Sequence, residues 1–155
     1  MRILGLDTGT KTGWCVYDSE NGVIESGVQD FSKKRGESNG LMFLRFRKWM
    51  QYILDIQDIQ LVGYERAHFR GGAATEIGVG LQTRVQEECA GHDPVIEAAP
   101  VHTGTLKKWA CGHGKASKED MARKAIQYLK QLQGTIGYDE ADAILIAAWT
   151  AKEYT

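Results

Sequence analysis

The chain has 155 residues, 43% of them apolar and 25% charged, which is ordinary for a soluble globular protein with one domain over residues 1–155. The longest apolar run is far shorter than the roughly 20 residues that a membrane span requires, so no membrane partner is expected. Three scattered cysteines do not make a disulfide framework, and the net charge of −1 argues against a surface that binds DNA nonspecifically throughout. Together these features predict a cytoplasmic protein.

The first part of the chain predicts a three-stranded antiparallel meander. Residues 2–7 and 13–18 have strand character and flank a polar turn that is bracketed by glycines. The Asn21-Gly22 pair, a strong turn signal, separates the second strand from a third over residues 23–31. The first strand ends in Asp7, where an apolar run meets a charged side chain.

After the meander, the pattern changes to alternating helices and strands. Apolar residues at helical spacing predict a helix over residues 40–56, and a short buried strand over 61–65 follows. The elements after these are a helix over 75–91, a strand over 94–97, a turn at Pro100, helices over 103–110 and 117–132, and a last helix from Asp139. This order predicts an α/β fold with a five-stranded mixed sheet, antiparallel in its first three strands, and helices on both faces.

Four acids fall where this layout brings strand ends and a helix start together. Asp7 ends the first strand and Glu65 ends the fourth, while Asp139 and Asp142 lie three residues apart on one face of the last helix. Carboxylates that converge on a buried site repel one another and persist only if hard cations neutralise them. The pattern predicts a site for Mg²⁺ or Mn²⁺, with two ions roughly 4 Å apart that would activate water for phosphodiester cleavage.

Each acid also has a structural interpretation when it is taken alone. Asp139 and Asp142 would serve as a helix N-cap and a first-turn acid that the helix dipole favours. Asp7 would stabilise the turn that follows it, and Glu65 would pair with a neighbouring arginine. The combination of all four favours the metal site.

Four segments carry a resemblance to a known family: ILGLDTGTKTGWCV, LVGYERAHF, LKKWACGHGKASKEDM and YDEADAILIAAW. They resemble the RuvC-type Holliday junction resolvases of the ribonuclease H-like superfamily, and the resemblance extends over nearly the whole chain. It implies a ribonuclease H-like fold and a homodimeric, metal-dependent endonuclease that resolves Holliday junctions by paired nicking. Compact chains of this type resemble phage-encoded versions, some of which cut many branched DNAs, so a prokaryotic or phage-infected cell is implied.

The resemblance also implies roles for individual residues. Asp7, Glu65, Asp139 and Asp142 would be the metal-binding catalytic acids, and Lys118 would place a positive charge beside the scissile phosphate. The further candidates for DNA contact are Phe69, Arg70, Lys107, Lys108, His113 and Lys115. The basic residues could instead form a solvated surface. In the family, an aromatic residue near the second acid inserts into the junction as a wedge. Phe69 lies one position later than the family spacing, so it could instead be a packed loop aromatic.

One helix of the predicted fold is unusually rich in large aromatic residues. Phe43, Phe46, Trp49 and Tyr52 recur along it, which is more aromatic surface than one side of a small sheet readily covers. These side chains either contribute to the homodimer that the resemblance implies or pack on the sheet of their own chain.

Other functions are consistent with parts of the sequence. The opening DTGT segment is typical of actin-like ATPases as well, but those proteins close two domains around a nucleotide and this chain has one. The pairs Cys89/His92 and Cys111/His113 have spacings that do not suit a usual zinc finger. A ribonuclease H-like nuclease acting on RNA-DNA hybrid is left open, because the residues do not indicate contacts to a 2′-hydroxyl. The four acids argue against a noncatalytic junction-binding protein.

Overall fold

A computed structural model of the protein describes residues 1–68, 71–129 and 135–155. Its elements are β1 (Arg2–Asp7), β2 (Lys11–Asp18), β3 (Gly22–Asp30), α1 (Asn39–Ile56), β4 (Leu61–Glu65), α2 (Gly72–Ala90), β5 (Glu97–Val101), α3 (Thr103–Cys111), α4 (Lys118–Ile126) and α5 (Tyr138–Tyr154). Their order agrees with the predicted one. Within the described residues, no helix combines the length and the apolar character that crossing a bilayer demands.

The strands form a mixed sheet in the order β3-β2-β1-β4-β5. β1 pairs antiparallel with β2, and β2 pairs antiparallel with β3. β4 lies parallel to β1 on one side and parallel to β5 on the other. The predicted five-stranded sheet, antiparallel in its first three strands and parallel beyond them, is therefore confirmed.

The prediction for the fifth strand was wrong in position. The strand runs over Glu97–Val101 and not over 94–97, and Pro100 lies within it, paired with Tyr64, instead of forming a turn. β5 is the last strand of the sheet, so a residue without an N–H is tolerated where no further strand pairs. Val95, in the segment predicted as a strand, is 73% exposed.

The helix predicted over 117–132 also ends earlier than expected. α4 ends at Ile126, and the next three backbone N–H groups bond to carbonyls three residues back, as in a tightened 3₁₀-like turn. Tyr128 and Leu129, which continue the helical spacing in the sequence, pack against the core from this turn. The remainder of the predicted helix falls partly on residues 130–134, outside the described part of the chain.

Helices cover both faces of the sheet because strand side chains alternate between them. Leu4 and Leu6 of β1, with Val62 and Tyr64 of β4, share one apolar cluster with α1 and α2. The opposite face carries the intervening residues and packs against α3, α4 and α5. The last residues of β1 and β4 belong to the same alternating set as these intervening residues. They therefore face the side of the sheet that α5 covers.

α5 lies unusually close to the sheet because glycines stand under it. A Cβ atom on Gly5 of β1 would lie 2.4 Å from the carbonyl oxygen of Ala143. A Cβ atom on Gly63, the partner of Gly5 on β4, would lie 2.0 Å from the hydroxyl oxygen of Thr150. Both distances are shorter than any van der Waals contact, so a side chain at either position would displace the helix.

Most of the aromatic side chains of α1 pack within their own chain. Phe46 is fully buried, and its ring centroid lies 5.2 Å from that of Phe31. The ring centroid of Trp49 lies 5.6 Å from that of Phe31, in the same cluster. Phe43 is partly buried against the same core, whereas Tyr52 is 62% exposed. Of the two alternatives, packing within their own chain therefore describes Phe43, Phe46 and Trp49.

The close approach of α5 leads to a stability prediction. We expect Gly5→Ala to lower the free energy of unfolding by about 3 kcal/mol or more, because the added methyl group overpacks a contact made by helix backbone. Gly104→Ala is the matched control: it lies in α3 with nothing near its Cβ position, and we expect a change of about 0.5 kcal/mol or less, in the stabilising direction. Chemical denaturation measures both, and equal effects of the two variants would contradict the packing described.

Candidate active site

The parallel pairing of β1 and β4 places two carboxylates side by side. Leu6 lies opposite Tyr64, so the next residue on each strand, Asp7 and Glu65, ends the two strands at the same edge. Their side chains share the register of Gly5 and Gly63 and therefore point to the face that α5 covers. β1 and β4 are thus neighbours in the sheet, which is the condition under which the sequence brings these two acids together.

α5 begins over this edge and brings two aspartates to it. Gly13, the partner of Asp7 on β2, lies so close to α5 that a Cβ there would be 1.9 Å from the carbonyl oxygen of Asp139. The Asp139 side chain shares a hydrogen bond with Asp7 when Asp7 carries a proton. Carboxylate oxygens of Asp7, Glu65 and Asp142 all lie within 4.8 Å of one another. The four predicted acids thus converge, three in one group and Asp139 beside Asp7.

Burial and mutual repulsion change the ionisation of these acids. Burial, followed by the negative charges of Asp142, Glu65 and Asp139, raises the pKa of Asp7 well above its ordinary value. Burial, then the charges of Glu65 and Asp139, raises the pKa of Asp142 to about 7. The positive charges of two lysines, Lys107 and Lys118, oppose that rise. Both acids therefore hold a proton more readily than exposed aspartates do, and the two lysines offset burial and repulsion only in part.

The donor set fits a hard divalent cation. It consists of carboxylate oxygens, the ligands that Mg²⁺ and Mn²⁺ prefer, and a cation among them would supply the positive charge that the two lysines provide only in part. Within residues 1–68, 71–129 and 135–155, no Cys/His group is arranged for zinc. Cys89, on α2, is buried in the hydrophobic core of the protein, and Cys111 contacts Met121.

Two residues that sequence reasoning did not select lie against Glu65. The hydroxyl of Thr103, the first residue of α3, donates a hydrogen bond to Glu65 Oε1. His68 Nε2 lies 2.5 Å from Thr103 Oγ1 and 3.5 Å from Glu65 Oε1. In the sequence only their positions distinguish them: His68 comes three residues after Glu65, and Thr103 stands at a helix start. Such positions are too common to identify a site.

The predicted basic residues near the acids lie on α3 and α4. Lys118 is the first residue of α4, where Ser117 and Asp120 form a reciprocal capping box at the N-terminus of the helix. Its Nζ atom lies 5.8 Å from the ring centroid of Tyr138, at the start of α5. Lys107 lies on α3, and both lysine charges act on Asp142. Positive charge from α3 and α4 therefore acts at the edge of the acid group.

The remaining candidates for DNA contact are spread over the surface beyond the acids. Lys108 and Lys115 are exposed, on α3 and in the loop between α3 and α4. His113 lines a separate cleft of about 520 Å³ between the end of α3 and the side of α4, together with Arg123 and Lys124. Phe69 and Arg70 lie outside the described residues, so their predicted roles stay predictions.

The opening turn between β1 and β2 is closed by a side chain of its own hairpin. Thr12, fully buried, donates its hydroxyl to the carbonyl oxygen of Gly9 at 2.7 Å, and the Gly9 N–H approaches the same hydroxyl at 3.3 Å. The glycine-bracketed segment is thus a hairpin that returns β2 beside Asp7, as its sequence predicted.

Comparisons with known proteins show what the fold is similar to. No protein-family model and no curated protein matches the chain. The solved structure of Thermus thermophilus RuvC matches at 20% identity with a TM-score of 0.80, covering 99% of this chain and 96% of that one. T. thermophilus RuvC in complex with a Holliday junction substrate matches at 20% identity with a TM-score of 0.81, covering 97% and 93% of the two chains.

A third structure extends the comparison to a eukaryote. The yeast mitochondrial Holliday junction resolvase Ydc2 matches at 17% identity with a TM-score of 0.67, covering 99% of this chain and 81% of that one. At these identities the likeness concerns the fold, and the fold is RuvC-type and ribonuclease H-like, as the sequence resemblance predicted.

The raised pKa of Asp142 predicts a pH-dependent stability in metal-free protein. Between its ordinary pKa of 3.8 and about 7, the folded state binds this proton more tightly than the unfolded state, so the stabilisation is complete at low pH and is lost as pH rises through 7. We expect the free energy of unfolding of Asp142→Asn, relative to that of the wild type, to increase by about 1–3 kcal/mol from pH 4 to pH 8. This range allows for solvent screening of a partly exposed carboxylate.

Thermal unfolding in a chelator at several pH values measures this difference. Added Mg²⁺ at pH 8 should raise the melting temperature of the wild type more than that of Asp142→Asn, because the ion binds the ionised form. A difference in stability that stays constant from pH 4 to pH 8 would contradict the assignment.

Proposed function

We propose that the protein is a metal-dependent, structure-selective endonuclease that resolves Holliday junctions, and other branched DNA, by paired nicking. The observation that carries this proposal is the group formed by Asp7, Glu65 and Asp142 at the meeting edge of β1, β4 and α5. The fold is that of T. thermophilus RuvC, which has been solved in complex with a Holliday junction substrate. Residues 1–155 would act as one nuclease domain in the cytoplasm of a prokaryotic or phage-infected cell.

The acids would hold Mg²⁺ or Mn²⁺, two ions per site, with Asp139 completing the set beside Asp7. Such ions, when bound, lower the pKa of a water molecule and neutralise charge on a phosphodiester. The chain contributes the preorganisation: two strand ends and one helix keep the carboxylates together at the cost of mutual repulsion. That repulsion would favour binding of a positive charge among the acids.

The lysines at the edge of the site would act on the substrate. The charges of Lys118 and Lys107 lower the pKa of Asp142, and the same charges would stabilise negative charge on a phosphate held beside the acids. Lys108, Lys115 and His113 extend the same surface and would bind DNA backbone further from the cut.

A homodimer would supply the two sites that paired nicking requires. An isologous dimer presents two identical sites about a two-fold axis, which suits the symmetry of a four-way junction. The packed aromatic residues of α1 do not argue for it, but four large apolar residues of the same helix are exposed. These residues are Leu41, Leu44, Tyr52 and Ile56. Exposed apolar side chains of this kind would be available for contact between two copies.

The first test concerns the acids. Asp7→Asn should abolish cutting of a labelled four-way junction in Mg²⁺ and leave junction binding in Ca²⁺ intact, because it removes a ligand without removing the DNA surface. Glu140→Gln is the matched control, since Glu140 follows Asp139 on α5 but bonds to Ser26 on β3. It should cut at nearly the wild-type rate. Cutting by Asp7→Asn at the wild-type rate would refute the assignment.

The substrate range needs a separate panel. Linear duplex, flapped, three-way and four-way DNA and an RNA-DNA hybrid are each incubated with wild-type protein in Mg²⁺ or Mn²⁺. We expect symmetric nicks in the four-way junction and little cutting of linear duplex. Preferential degradation of the hybrid would instead identify a ribonuclease H activity, the alternative that the sequence leaves open.

Lys118 gives a prediction about rate. We expect Lys118→Ala to lower the single-turnover cleavage rate about 10²- to 10³-fold, the usual cost of removing one group that stabilises transition-state charge. Metal binding should change little, because the lysine is not a ligand. Lys152→Ala, near the far end of α5, should retain the wild-type rate. A Lys118→Ala rate within threefold of wild type would remove this residue from the mechanism.

A further inference from the structure

The hydroxyl of Thr103 links Glu65 to His68 through two hydrogen bonds. Which group donates in each bond can be determined from the protons available. A hydroxyl has one proton, and Thr103 donates it to Glu65 Oε1. The 2.5 Å contact between Thr103 Oγ1 and His68 Nε2 then requires the imidazole to be the donor. The order is His68 N–H to Thr103 O–H to the Glu65 carboxylate, so each bond polarises the next.

Pairing of β4 with β5 puts this threonine in place. Glu65 lies opposite Val101, and the backbone N–H of Arg66 donates to the Val101 carbonyl at 2.9 Å. α3 begins two residues after Val101, with His102 as its N-cap. The first helical side chain, Thr103, therefore falls beside the end of β4. The sheet register, and not a flexible loop, fixes its position.

Glu65 needs such a contact more than its neighbours do. Asp7 is held by the β1–β2 hairpin and the Asp142 backbone by α5, but a glutamate has one more rotatable bond than an aspartate. Without a cation, Asp7 and Asp142 repel the Glu65 carboxylate whenever they are ionised, which favours rotation of the Glu65 side chain away from them. Its side chain is 18% exposed, so little water is available to replace the bond from Thr103.

We propose that Thr103 is a positioning residue that holds Glu65 ready to bind metal, with His68 orienting the Thr103 hydroxyl. Hydrogen bonding of Oε1 leaves the second oxygen of Glu65 for the ion and restricts the rotation of the carboxylate. The inference rests on the proposed metal-dependent nuclease, because it assigns a partner to one of its ligands. Groups that hold a metal ligand in this way usually contribute about 10- to 100-fold to metal affinity.

The test compares three substitutions by calorimetric titration with Mn²⁺ in the absence of DNA. Thr103→Val removes the hydroxyl and keeps the shape, and it should weaken Mn²⁺ binding about 10- to 100-fold. Thr103→Ser keeps the hydroxyl and should restore affinity to within about threefold of wild type. Thr105→Val, at an exposed threonine of the same helix, should bind as the wild type does.

Cleavage of a four-way junction gives a second readout. For Thr103→Val, the Mn²⁺ concentration at half-maximal rate should rise by the factor found in the titration, while the rate at saturating Mn²⁺ recovers. Wild-type Mn²⁺ affinity in Thr103→Val would overturn the inference, as would a Thr103→Ser variant no better than Thr103→Val. If Thr103→Val does not fold, His68→Ala replaces it, with a severalfold weaker affinity expected and an unchanged one overturning the inference.

The two proposals fail in different ways. Wild-type protein that binds Mn²⁺ through this site but cuts no branched DNA refutes the proposed nuclease and leaves the role of Thr103 supported by the titration. Wild-type protein that cuts junctions while Thr103→Val keeps normal affinity refutes the positioning role and leaves the nuclease standing.

Discussion

The contact between α5 and the glycines of the sheet is the constraint on which the acid site depends. At Gly5 and Gly63 the helix lies where a side chain would otherwise be, and at Gly13 its first turn reaches the strand beside Asp7. A helix held one side chain further out would leave the carboxylates of α5 short of those on β1 and β4. Repulsion among the acids favours that separation, so the packing of α5 must oppose it.

The acids could be predicted from the sequence because their positions follow from local rules. Asp7 and Glu65 end apolar runs, and parallel strands that are neighbours end at one edge. Asp139 and Asp142 share a helical face by spacing alone. The glycines were visible as well, but their purpose was not, because it depends on which helix lies above them. Only the folded chain shows that Gly5 meets Ala143.

Thr103 could not be predicted, and the reason lies in the fifth strand. Placing that strand over 94–97 and a turn at Pro100 separated the start of α3 from the end of β4. The actual strand, Glu97–Val101, ends beside Glu65 and leads directly into α3. Proline is tolerated there because β5 is an edge strand, a property of the sheet order and not of the residues nearby. An error of a few residues in register therefore concealed a contact with the site.

The separation of the acids along the chain has a consequence for biosynthesis. Asp7 lies on the first strand, Glu65 on the fourth, and Asp142 on α5, which follows every other described element in chain order. A ribosome exposes residues in that order, so a nascent chain can pair β1 with β4 well before α5 emerges. Such a chain holds two of the three grouped carboxylates. Completion of the proposed ion-binding site thus coincides with docking of α5, so a partly made chain would lack the acid group on which the proposed nuclease activity depends.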